Sequence, residues 1–172
     1  MDFVAEMIKK STKVRQAPAR QEKWDRRFLE LAKQVSTWSK DPSTKVGAIL
    51  VDENLHVIGM GYNGFPRGVD DTTERLSERE TKYKFVVHAE VNAVLQAGHK
   101  ARGATLYVYP SFNLPPICNE CAKVAINAGV AGIVGYKPAE ESRRIDRWAE
   151  AIRISKEMWD EAELFIRSYD EQ

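Results

Sequence analysis

Trp24, Phe28, Leu31, Val35 and Trp38 follow one another at alternating spacings of four and three. That recurrence places them on one stripe of a helix beginning near Gln21. The stripe stops before SKDPSTK, where Pro42 forbids continuation and Asp41 and Ser43 favour a turn. KVGAILVDE and HVIGMGYN then predict two strands joined through ENL as a hairpin. Residues 64–84 are largely polar, which predicts a long loop that is a lid, a binding loop or disordered. VVHAEVNAVLQAG predicts a helix closed by Gly98, and TLYVY a strand buried on both faces. CNECAKVAINAG predicts a second short helix, closed by Gly129, and AGIVGY another strand. An amphipathic helix follows over SRRIDRWAEAIRISKEMWDEA, with Ile145, Trp148, Ile152 and Trp159 on one side. ELFIRSY predicts a final edge strand.

Helix and strand alternate from the hairpin onward, which argues for an α/β protein built as a three-layer α/β/α sandwich. A length of 172 residues fits one domain with a substantial core. Residues 1–22 read as an N-terminal arm, since Pro18 interrupts a helix there, and residues 23–172 as the domain. No apolar run approaches the roughly 20 residues of a membrane span. The first residues lack the basic start, apolar core and cleavage site of a secretory signal. Two cysteines are too few for a disulfide scaffold, so the expected location is cytoplasmic. A formal net charge of +1 offers no field for a large nucleic acid, which leaves a small molecule as the expected substrate.

Both cysteines lie in PPICNECAK, as Cys118 and Cys121. Taken alone, this spacing serves a redox pair or a metal equally well. A structural zinc needs four protein ligands, and the chain holds no third cysteine. A catalytic zinc needs three and keeps the fourth position for water. Cys118, Cys121 and one histidine supply three, giving one Zn2+ per chain. His88 is the histidine of choice because Glu90 follows it in HAE. At the first turn of a helix, His88 can face a metal while Glu90 reaches the water beside it. His-x-Glu followed by Pro-Cys-x-x-Cys is the zinc deaminase signature, although here Ile117 separates Pro116 from Cys118. His56, in a turn, and His99, beyond a helix end, read as solvent-facing.

SKDPSTKVGAILV, GMGYNGFPRG, HAEVNA and CNECAKVAINAG, in that order, resemble the deoxycytidylate (dCMP) deaminase family. WDRRFLELA is similar to that family's first helix, so the resemblance runs from Trp24 to Tyr136. It implies the cytidine-deaminase-like fold, with a central mixed sheet of about five strands. It also implies hydrolysis of dCMP to dUMP and ammonia. His88, Cys118 and Cys121 match the zinc ligands and Glu90 the proton shuttle. Asn63 matches the asparagine that holds the sugar, and the backbone of Ala89 would meet the pyrimidine carbonyl. Family members form homo-oligomers, so a hexamer or dimer is expected. The resemblance also implies dCTP and dTTP as effectors, with GYNG in the regulatory site.

Other residues keep two readings. Asn63 in YNG also suits a plain turn, and Lys40 and Asp41 serve equally as turn or functional residues. Arg67 is a candidate phosphate contact, its ordinary reading being a solvated arginine. Tyr109 and Phe112 could stack on a base, but as aromatics flanking a buried strand they read as core. Arg143, Arg144 and Arg147 fit a charged helix face as well as a phosphate site. The N-terminal arm and the Trp148/Trp159 helix are candidate subunit contacts. After Tyr136 the resemblance fades, which leaves other substrates open: guanine, dCTP or a modified cytosine nucleotide. A non-catalytic nucleotide-binding regulator of the same fold is the alternative of another class, and the presence of Glu90 argues against it.

Overall fold

A computed structural model describes residues 17–112, 115–137 and 145–171. The first helix, α1, spans Ala19–Ser36. Pro18 starts it rather than interrupting it, because its carbonyl accepts the amides of Gln21 and Glu22. A proline's fixed φ and missing N–H are no penalty at a helix start. Phe28, Leu29, Ala32 and Val35 form its buried face. Trp38 falls past the helix end and is 51% exposed, beside the ring of Tyr62. The alternating four-three pattern has a period of about 3.5 residues, whereas a straight helix turns every 3.6. Drift between the two brings Leu29 and Ala32 into the core, while Trp38 lies beyond the helix end.

The hairpin strands are β1, Gly47–Val51, and β2, Val57–Tyr62. The polar stretch that follows is not an unstructured loop: it holds α2, Thr73–Ser77, and α3, Arg79–Phe85. Each is capped by the residue before it, Thr72 accepting from the Arg75 amide and Glu78 from those of Glu80 and Thr81. Helix α4 spans Ala89–Ala97, so Val86 and Val87 stay extended instead of joining it. Val87 exchanges both backbone hydrogen bonds with Gly64, at 2.8 and 3.1 Å. A 3-10 turn, Gly98–Ala101, leads to β3, Thr105–Tyr109. Then come α5, Asn119–Asn127; β4, Gly132–Tyr136; α6, Ile145–Glu161; and β5, Phe165–Tyr169.

The five strands form one sheet in the order β2-β1-β3-β4-β5. β1 pairs antiparallel with β2 and β3, while β3, β4 and β5 run parallel, giving the mixed sheet expected. Ala48, Leu50, Leu106, Val108, Ile133 and Ile166 share a core with apolar residues of α4, α5 and α6. Ile49, Val51, Tyr107, Val134 and Tyr136 share the other with α1. Helices therefore cover both faces, and the layering is α/β/α. Trp159 is fully buried and its indole N–H donates to the Phe165 carbonyl, so this residue belongs to the core of the chain itself. The side chains of Ile145 and Trp148 lie outside the described residues, as do Arg143, Arg144, Arg147 and residues 1–16 of the arm.

β2 approaches α4 closely because Gly61 lacks a side chain. A Cβ at Gly61 would overlap the Ala89 carbonyl and the Ala93 amide. The strand ending at Tyr62 is thereby brought against the first turn of the helix that follows His88.

Candidate metal centre and catalytic site

His88 is the N-cap of α4 and Cys118 the N-cap of α5. Both are extended, with ψ of 154° and 165°, so each side chain leaves the helix axis instead of wrapping along it. Cys121 lies in the first turn of α5 and is buried. Packing α4 and α5 on one sheet face makes the two helix starts converge. The His88 Nδ1 atom is 3.2 Å from the Cys121 Sγ and 3.4 Å from the Cys118 Sγ. The three donor atoms fall within 4.8 Å of one another, the one such group among the described residues. Both thiols are free rather than joined as a disulfide.

The electrostatics divide the two sulfurs. A hydrogen bond from the Cys121 thiol, together with one from His88, outweighs burial and pulls the Cys118 thiol down to about 4. Cys121, donating to that thiolate and buried, is held well above the ordinary thiol range. His88 is pushed up to about 9 by its hydrogen bond to Cys118, against its own burial. Imidazole and two sulfurs at mutual hydrogen-bonding distance are a soft, compact N/S/S donor set that fits zinc and leaves a fourth position open. The unsatisfied N–H groups of two helix starts favour the negative charge such a set carries.

Glu90 occupies the first turn of α4 and is buried. Burial pushes its carboxyl up to about 7, the His88 charge opposing this and the Cys118 thiolate adding to it. A carboxyl poised near neutrality both takes and returns a proton. Ala89, also buried, is the first residue of α4, where a backbone N–H has no partner within the helix.

Asn63 is buried just past β2, and its side chain is engaged with the segment before β1. Arg67 is exposed in a turn closed by Val69 N–H on the Pro66 carbonyl, and among the described residues it makes no hydrogen bond or ion pair. Tyr109 is half-buried, packed edge-on against Tyr136 with the Lys33 ammonium over its ring. His56 is exposed and paired with Asp52, and His99 is exposed in the 3-10 turn.

Sequence reasoning missed two buried ionic clusters. Asp41 pairs with Lys82 at 3.0 Å, both side chains enclosed. Lys82 gave no signal, because in a polar stretch a lysine reads as solvated. Asp25, fully buried, accepts from Tyr107, Tyr169, Arg167 and Gln21. Its one legible sign was a carboxylate on the apolar side of α1.

An α/β/α sandwich that gathers these donors beside a buried glutamate defines the class of zinc-dependent base deaminases. The profile described as "Cytidine and deoxycytidylate deaminase zinc-binding region" matches residues 22–137. A relative from Aliivibrio fischeri, an uncharacterized deaminase in the luxG 3' region, is 38% identical over 140 residues, covering 81% of this chain and 89% of its own. The deoxycytidylate deaminase of Mus musculus is 37% identical over 131 residues, covering 69% of this chain and 70% of its own. Among solved structures, the dCMP deaminase from cyanophage S-TIM5, in complex with dCMP and dUMP, shares the fold. Its TM-score is 0.62 at 22% identity, over 90% of this chain and all of that one. This chain belongs to the cytidine and deoxycytidylate deaminase family of hydrolytic, zinc-binding enzymes.

Proposed function

We propose that this protein hydrolyses dCMP to dUMP with release of ammonia. One observation carries the reading: the His88, Cys118 and Cys121 donors converge within 4.8 Å while a buried glutamate stands in the adjoining helix turn. Relatives named for dCMP deamination support the choice of substrate. His88, Cys118 and Cys121 are the residues that would hold the zinc. Bound there, zinc supplies the Lewis acidity that brings a water proton within reach of a carboxylate at neutral pH.

Glu90 takes a proton from water and hands it to N3 of the pyrimidine as the water oxygen adds to C4. It then takes the remaining proton and delivers it to the 4-amino group. The C4–N bond breaks, ammonia leaves and the C4 carbonyl of dUMP remains. The Ala89 N–H, which has no partner within α4, meets the pyrimidine carbonyl. Asn63 holds the sugar, and Arg67, exposed and without a hydrogen bond or ion pair among the described residues, reaches the phosphate.

In the same reading, residues 23–172 are the deaminase domain and residues 1–22 an arm that runs into the first turn of α1. The protein works in the cytoplasm as a homo-oligomer, a hexamer or dimer, with dCTP and dTTP as effectors. No helix among the described residues is long and apolar enough to cross a membrane. The test is ammonia release from a panel of dCMP, dCTP, deoxycytidine, dGMP and guanine. Turnover of dCMP is expected; guanine turnover with all cytosine compounds silent overturns the assignment.

A further inference from the structure

Asn63 is only 6% exposed, and nearly all of its hydrogen-bonding capacity is spoken for. Its amide nitrogen carries two hydrogens and its oxygen two lone pairs. One hydrogen goes to the Thr44 carbonyl at 2.9 Å and the other towards Asp41 Oδ2 at 3.5 Å. The oxygen accepts the Val46 N–H at 2.8 Å. Among the described residues, one lone pair on Oδ1 is left. Seated this way, the carboxamide can accept a further hydrogen bond and has no hydrogen to donate.

The carboxylate of Asp41 stands behind this seating. Its Oδ1 accepts the Ser43 and Thr44 amides at 2.8 and 3.0 Å, and the Lys82 ammonium at 3.0 Å. Its Oδ2 is left facing the Asn63 amide nitrogen, and a carboxylate oxygen there admits only a donor. A flipped carboxamide would set oxygen against oxygen, and would also turn its NH2 towards the Val46 N–H.

Lys82 is 6% exposed, in a helix whose other polar side chains largely face solvent, and it donates to Ser43 Oγ as well, at 2.6 Å. It lies on α3, from which Val86 and Val87 run directly to His88, with Val87 paired to Gly64. One ion pair thus joins the Asn63 corner to the segment that delivers His88. A buried ion pair is a poor device for stability, since apolar residues of equal volume often serve as well. Orientation of a neighbouring dipole is something apolar residues cannot supply.

We propose that Asp41 and Lys82 are positioning residues for sugar recognition, holding the Asn63 carboxamide as a pure acceptor that selects a hydroxyl donor on the deoxyribose. The inference rests on the dCMP reading and deepens it. The 3′-hydroxyl is the free hydroxyl of that sugar, so a nucleotide lacking it leaves the Oδ1 lone pair unmatched.

The experiment compares kcat/KM for dCMP and for 2′,3′-dideoxycytidine 5′-monophosphate in wild type, Asp41→Asn, Lys82→Met and Lys82→Arg. Thermal melts and zinc analysis accompany each protein. Wild type is expected to favour dCMP by about 100-fold or more, as a site built around a substrate hydroxyl rejects its deoxy analogue. In Asp41→Asn and Lys82→Met, with the fold and zinc retained, that preference is expected to fall below about tenfold, mainly through a raised KM for dCMP. Lys82→Arg, which keeps the charge, retains the preference. A purely structural pair would lower stability and leave the ratio between the two nucleotides untouched, and that result overturns the proposal. So does a wild type that turns over both nucleotides equally. A wild type inert towards dCMP removes the functional reading itself, and this inference with it. If Lys82→Met does not fold, the ratio in Asp41→Asn, an isosteric change, decides.

Discussion

The Cys118 sulfur lies 3.4 Å from Nδ1 of His88, although the two residues are 30 positions apart in the chain. Helix α4, strand β3 and the segment leading to α5 run between them. Their meeting depends on two helices that pack side by side on one sheet face and begin at the same end of it. Each residue is the cap of its helix, so neither needs a long side chain to arrive.

Cys118→Ala removes one of three donors and is expected to leave the purified protein without zinc after dialysis. Glu90→Gln keeps all three and should retain stoichiometric metal. Its kcat should fall by at least about 100-fold, the usual contribution of a positioned proton shuttle. Metal analysis and ammonia release on the same preparations check both. Full zinc in Cys118→Ala, or normal turnover in Glu90→Gln, would show that these roles are wrongly assigned.

Asp25 anchors α1 to the sheet. Its carboxylate receives the Tyr107 and Tyr169 hydroxyls at 2.7 and 2.6 Å and the Arg167 guanidinium at 2.6 and 3.1 Å. Asp25→Ala strands a cation and two hydroxyls that its carboxylate had paired. A loss of about 3–5 kcal/mol is expected, the range for removing one partner of a buried ion pair. Urea unfolding of the two proteins measures it, and a loss under about 1 kcal/mol, the size of an ordinary hydrogen bond, would contradict the role.

Stability should carry an acid signature from Asp41. Burial pushes this carboxyl up, but the Ser43 and Thr44 amides and the Lys82 ammonium outweigh it and hold the group below its ordinary 3.8. A carboxyl whose folded value is depressed contributes stability fully above the unfolded value and loses it as pH falls through the folded one. The gap in unfolding free energy between wild type and Asp41→Asn should therefore stay level from neutrality down to about pH 5 and shrink below about pH 4. Denaturant titrations at stepped pH test this; a gap that widens on acidification would reverse the sign and refute it.

Much of this protein could be read along the chain. The strand runs GAILV and TLYVY are largely apolar, and the sheet buries all of the first and the centre of the second. Gly98 and Gly129 stand where α4 and α5 end, each with positive φ. His-x-Glu and Cys-x-x-Cys, each weak alone, named a metal site together because zinc chemistry restricts which donors count. These features are legible because their cause is local: period, turn chemistry, or ligand type.

Features with a non-local cause were out of reach. Lys82 looks solvated in a polar stretch, and only the fold lays α3 against the loop bearing Asp41. That Trp159 is buried in the core, with its indole N–H on the Phe165 carbonyl, depends on β5 packing beside the end of α6. By itself the sequence determined the five strands, the longer helices and the layer order, and it singled out His88, Cys118 and Cys121 as candidate metal donors, because each follows from neighbours a few residues away or from the chemistry of the side chains themselves. Tertiary structure alone decided how Asn63 was oriented and which charges were paired. Those properties depend on what segments distant in sequence bring into contact, and burial turns a charge that water would screen into one that must find a partner.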